Sequence, residues 1–182
     1  MANTTFEGPV RSKNGFINLG PGAVDANTLA TNMTVANNAG RIMLMDPAAS
    51  PTAITIPAIV STADGLNAGP GSDPSNPNTI GTTFEIVFTD EFTGTIQTAN
   101  TADTFIGGIT LGVDDTAVAK AFFVPAAANN ELNLNGEAGA GNATTGGLIG
   151  SRIKFTAVAA NKYLVEGLLI GSGTIATPFD TQ

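Results

Sequence analysis

The chain has 182 residues, 42% of them apolar and only 12% charged, and 7 basic against 15 acidic residues leave a net charge of -8. That length predicts one domain with a sizeable core, and a charge content well below the roughly 25% usual for soluble domains predicts a surface partly covered by copies of the chain or by a partner. With no cysteine and no histidine, the composition excludes disulfides, thiolate catalysis, Ser-His-Asp chemistry and zinc sites of ordinary composition, and an acidic balance without a Lys/Arg cluster argues against nucleic-acid and membrane partners.

Residues 1–22 read as an extended N-terminal arm, because Gly8, Pro9, Asn14, Gly15, Gly20, Pro21 and Gly22 interrupt every run of side chains. The arm nevertheless carries apolar anchors in Phe6, Val10, Phe16, Ile17 and Leu19, and Arg11 and Lys13 make it locally basic. Two readings fit: a first strand along a sheet edge, or an arm docked on another subunit. The first residues are polar and no apolar run follows them, so a cytoplasmic product without a secretory signal is expected. Residues 23–182 are expected to form a single all-β domain.

Strand-like text begins near Thr28. Thr31 to Val35 is a candidate strand, Asn37 to Gly40 a turn, and Arg41 to Met45 a run apolar on both faces that Asp46 and Pro47 end. Thr52 to Pro57 alternates and has proline at its end and just before it, which predicts a short or edge strand. Ala58 to Ile80 holds a Gly, Pro, Ser and Asn-rich centre and reads as a surface loop. Thr83 to Thr89 then points Phe84, Ile86 and Phe88 inward, Gly94 to Ala99 carries Ile96, and Asp103 to Leu111 carries Phe105, Ile106, Ile109 and Leu111. The pair Gly107 and Gly108 inside that last strand predicts a bulge or a close backbone approach.

Ala117 to Val124 is Ala-rich enough for a helical turn, yet its run of Phe122, Phe123 and Val124 suits a strand, the reading favoured, and Pro125 stops it either way; Leu132 with Leu134 forms a short strand. Glu137 to Gly147 reads as a loop. Gly150 to Thr174 is the clearest hairpin in the chain. Ile153, Phe155 and Ala157 alternate with Arg152, Lys154 and Thr156, Ala159 to Asn161 make the reversal, and Asn161 is the residue suited to a left-handed backbone. In the return strand, Tyr163, Val165 and Leu169 line one face and Leu164, Leu168 and Ile170 the other, so both faces are expected to touch protein. Turn signals every eight to twelve residues or so predict a sandwich or barrel.

The carboxylate pairs Asp90/Glu91 and Asp114/Asp115 lack the alternating pattern of a calcium loop and read as solvated turns. Gly136, Gly139 and Gly141 lack the spacing and the βαβ context of a dinucleotide loop. No tryptophan and a single tyrosine leave no aromatic wall for a sugar. No catalytic, cofactor or metal site is therefore assigned.

The opening text TTFEGPVRSKNGF and the strand texts ITIPA, GTTFEIVFTDEFTGTIQTANTADTFIGG and GSRIKFTAVAANKYLVEGLLIGSGTI resemble small virion structural proteins of tailed, particularly marine, bacteriophages. The resemblance spans most of the chain outside residues 58–80 and 137–147. It implies a jelly-roll-like fold and a homotrimeric capsid decoration, or cement, protein on the virion surface, with the major capsid protein as partner. On that basis Phe6, Val10, Arg11, Lys13, Phe16 and Ile17 are the expected capsid or inter-subunit contacts. Lys162 stands before Tyr163 where the resembling hairpins tend to carry an aromatic pair. The rival readings are a tail-fibre or host-recognition component using the 58–80 loop, and a small carbohydrate-active enzyme working through Asp or Glu pairs.

Overall fold

A computed structural model describes residues 24–25, 32–45, 53–61, 79–113, 120–136, 139 and 141–182. The expected arm, residues 1–22, and most of the 58–80 loop lie outside the described residues. Among the described residues, eleven strands and one helical turn follow one another: β1 (Val24–Asp25), α1 (Val35–Asn38), β2 (Ile42–Met45), β3 (Ala53–Ile56), β4 (Thr83–Phe88), β5 (Thr93–Thr98), β6 (Thr104–Val113), β7 (Lys120–Phe123), β8 (Glu131–Asn135), β9 (Arg152–Ala159), β10 (Lys162–Gly171) and β11 (Phe179–Asp180). The fold is all-β, as the turn spacing predicts.

The strands form two mixed sheets, one of seven strands in the order β1-β2-β4-β9-β10-β6-β7 and one of four in the order β11-β8-β5-β3. Four of the nine pairings are parallel, and the longest of them joins β6 to β10 over ten residue pairs, Lys162↔Thr104 to Gly171↔Val113. A jelly roll is antiparallel, and these pairings do not reproduce its connectivity.

Period-two alternation makes the core. In β4, Phe84, Ile86 and Phe88 are buried while Thr83, Glu85 and Val87 are half-buried on the other side. Ile153, Phe155 and Ala157 do the same in β9, and Tyr163, Val165 and Leu169 in β10. Ile54, Ile56, Ile96, Leu132 and Leu134 bring the four-stranded sheet into the same buried cluster. The two sheets meet through Phe105 and Phe179, whose ring centroids lie 6.4 Å apart edge to face, a favoured aromatic geometry.

The central hairpin forms as its sequence predicts. Ala160 and Asn161 turn the chain between β9 and β10, and Asn161 has φ 58°, the left-handed conformation that asparagine tolerates best among non-glycine residues. β3 lies at the edge of its sheet, in keeping with its flanking prolines. The glycine pair of β6 marks a close approach. Gly107 has φ +94° with the Val165 backbone against it, and Gly108 lies under the Phe122 ring and the Phe123 carbonyl of β7.

Two expectations are corrected. Of the expected strand Thr31 to Val35, the described residues 32–35 do not form one: Asn32 makes one bridge to Thr55, and the chain then turns into α1. The buried Asn38 explains it, because its Oδ1 accepts the Thr34 N–H at 2.8 Å while its own N–H donates to the Thr34 carbonyl at 2.9 Å, closing a helical turn that no ladder pairing offsets. The second correction concerns β10, which within the chain is buried on one face only; β2, apolar on both faces as read, likewise buries one. Ile42 is 47% exposed and Leu168 49%. The tail, where no strand is expected, contributes β11 through Phe179↔Leu132 and Asp180↔Glu131.

Candidate interaction surface

Register places the outward positions of the seven-stranded sheet in rows. One row runs Leu44, Val87, Arg152, Leu168, Thr110 and Phe122 across β2, β4, β9, β10, β6 and β7. The next runs Ile42, Glu85, Lys154, Glu166 and Gly108, and a third Thr83, Thr156, Leu164 and Ile106. Ile42, Ile106, Phe122, Val158 and Leu168 are all at least 39% exposed on these strands, and Val124, just past β7, is 64% exposed. Scattered exposed apolar side chains are ordinary; large ones sharing one sheet face on five strands make that face a candidate interaction surface.

Charge is interleaved with this apolar surface. Arg152 Nε donates to Glu85 Oε1 at 2.7 Å, and Lys154 stands across from both Glu85 and Glu166. A groove of about 510 Å³ lies here, lined by Gly150, Arg152, Lys154, Glu166, Gly167 and Leu168. Arg152 is 63% exposed, so an ion pair of this kind contributes at most about 1 kcal/mol to the fold.

The buried titratable groups play a different part. Asp103, in the turn between β5 and β6, is 0% exposed. Its Oδ2 accepts the Ile59 N–H at 2.8 Å, and its Oδ1 is buried without a hydrogen-bond partner among the described residues. Burial raises its carboxyl above the ordinary range, opposed by the Ile59 N–H. Tyr163 donates its hydroxyl to the Pro57 carbonyl at 2.8 Å. Burial, and then the neighbouring Asp103, raise its phenol too. Together they hold the segment from Pro57 to Ile59, where the chain leaves β3. Strand texts cannot reveal this, because residues 44 and 106 positions apart meet only after folding.

Of the two carboxylate pairs read as solvated turns, the described one lies in the bend between β4 and β5. Asp90 and Glu91 are exposed, and Asp90 Oδ1 accepts the Glu91 N–H at 2.9 Å. Asp114 and Asp115 lie outside the described residues. So do all six expected contact residues, Phe6, Val10, Arg11, Lys13, Phe16 and Ile17. Among the described residues no three His, Cys, Asp or Glu side chains gather as metal ligands. The open sheet face is the feature that sequence reading missed; Leu164, Leu168 and Ile170 in alternation were its signal, and a single intervening Glu166 did not tell solvent from protein. Protein-family models, curated proteins and solved structures contain no match to this chain.

Proposed function

We propose that this chain is a non-enzymatic structural protein of a virion: a capsid decoration protein that binds the major capsid protein lattice of a tailed bacteriophage and stabilises the head as a homotrimer. The observation that carries the reading is the open apolar face of the seven-stranded sheet, an extended platform on an otherwise rigid, disulfide-free β core. Large exposed apolar side chains spread over five strands suit a protein partner. The resemblance of the strand texts to virion structural proteins gives the reading its specific form.

In this account the architecture is a β-sandwich of two mixed sheets. The segment 1–22 carries the shell contact, with Phe6, Val10, Phe16 and Ile17 as apolar anchors and Arg11 and Lys13 as its charge. Three copies engaging a shell together multiply a weak single contact into firm attachment. A tail-fibre role would instead rest on loop tips, and the loop in question lies mostly outside the described residues.

Co-sedimentation with capsids lacking this protein tests the reading. Stoichiometric binding by the full chain, abolished by deleting residues 1–20, is the expected result. A full chain that stays off the shell overturns the decoration role, and binding that survives the deletion overturns the part given to the segment.

A further inference from the structure

The two sheets turn chemically opposite faces outward. Five Lys and Arg residues lie in the described part of the chain, and four of them, Lys120, Arg152, Lys154 and Lys162, occupy outward register positions of the seven-stranded sheet. The acids at outward register positions of the same sheet are Glu85, Glu166 and, on β1 opposite Leu44, Asp25, so four positive and three negative charges leave this face at +1, on a chain of -8. The strands of the four-stranded sheet carry no basic residue. Their outward positions are Thr55, Thr95, Gln97, Asn133 and similar short polar groups, with Glu131 and Asp180 directly opposite one another.

Like charges directly opposite on a sheet are destabilising. The Glu131 carboxyl is raised first by burial and then by Asp180, and no Lys or Arg of that sheet offsets the pair. An uncompensated acidic edge and an apolar, basic face on the same molecule are complementary to each other and not to themselves.

We propose that the chain associates head to tail with a second copy of itself, the outward face of the seven-stranded sheet covering the Glu131–Asp180 edge of the four-stranded sheet in the next copy. Face-to-face contact would set two faces of net positive charge against each other, and edge-to-edge contact would set acid against acid; only the heterologous arrangement brings opposite charges together. Such contacts close into a ring when the rotation allows and otherwise run on as a filament. The contact gives the proposed trimer a geometry, yet it does not depend on capsid binding, so a protein that fails to bind shells still tests it.

The test is solution mass by light scattering, at low salt and at 1 M salt, with thermal melting of each variant. The wild type is expected to exceed the 18.3 kDa monomer at low salt and to dissociate at 1 M, where screening acts within about 3 Å. Glu131→Gln with Asp180→Asn is expected to weaken association about tenfold, the scale of a close charge pair lost, while raising the melting temperature of the monomer. A purely structural role for these acids would not move the two readouts in opposite directions. Lys120→Glu with Lys154→Glu is expected to dissociate the protein, and adding Glu131→Lys and Asp180→Lys to that variant to restore association. A wild type monomeric at every concentration, or an oligomer indifferent to these changes, overturns the proposal.

Discussion

Leu168 and Leu169 are chain neighbours on opposite faces of β10, 49% and 0% exposed. Substituting each separately tests which face of the sheet is core. Leu169→Ala removes three carbons from a site packed against Gly146 and paired in register with Leu111. At about 0.8 kcal/mol per buried carbon the transfer loss is roughly 2.4 kcal/mol, and a residual cavity brings the total to about 2.5–4.5 kcal/mol. That is a large part of the 5–15 kcal/mol typical of a whole domain. Leu168→Ser loses only half-exposed surface and should cost less than about 1 kcal/mol. Urea unfolding of dilute protein, followed by far-ultraviolet circular dichroism, measures both. Equal losses at the two positions would refute the assignment of an open face, because Leu168 would then be buried by a part of the same chain.

Further outcomes follow from the buried carboxylates and the glycine pair. Asp103 has a folded-state pKa above its unfolded value, so the folded state holds more protons between those two values. Stability from this group is therefore greatest under mild acid and falls as pH rises through the folded pKa. The neutral Asp103→Asn side chain should flatten that slope, as unfolding midpoints across pH 4–8 would show. A variant with the wild-type slope would remove Asp103 from the account. Gly108→Ala should loosen the edge strand β7, because a Cβ there meets the Phe123 carbonyl at 2.7 Å as well as the movable Phe122 ring. Overpacking of this kind costs about 1–3 kcal/mol. Hydrogen exchange should speed up at residues 120–123 and leave β4 and β9 unchanged; unaltered exchange in β7 would contradict the close approach.

Much of this fold is legible in the residues, for local reasons. Phe84, Ile86 and Phe88 alternate so plainly that side chain sorting needs no partner, and Asn161 announces its turn by its own backbone preference. What was not legible depends on which group each residue meets after folding, near or far along the chain. Nothing in Thr104 to Val113 says that its neighbour is a parallel strand nearly sixty residues on, since period-two text is the same for both directions. Thr34 and Val35 look like strand residues until Asn38 folds back to bond Thr34. Leu164, Leu168 and Ile170 show an apolar face but not whether the protein covers it. The expected contacts, from Phe6 to Ile17, rest on the resemblance and on the pattern of anchors, without structural support from the described residues.

The most direct test of the central claim, that the outward face of the seven-stranded sheet is buried on assembly, is hydroxyl-radical footprinting of Ile42, Phe122 and Leu168. Labelling would be compared between dilute monomer and assembled protein, with Phe84 and Phe155 as fully buried references. Strong labelling of the three outward residues in the monomer, falling several-fold on assembly while the references stay unlabelled throughout, is the predicted result. Labelling that is equal in both states would contradict the account, because the face would then remain open to solvent whatever the protein assembles into.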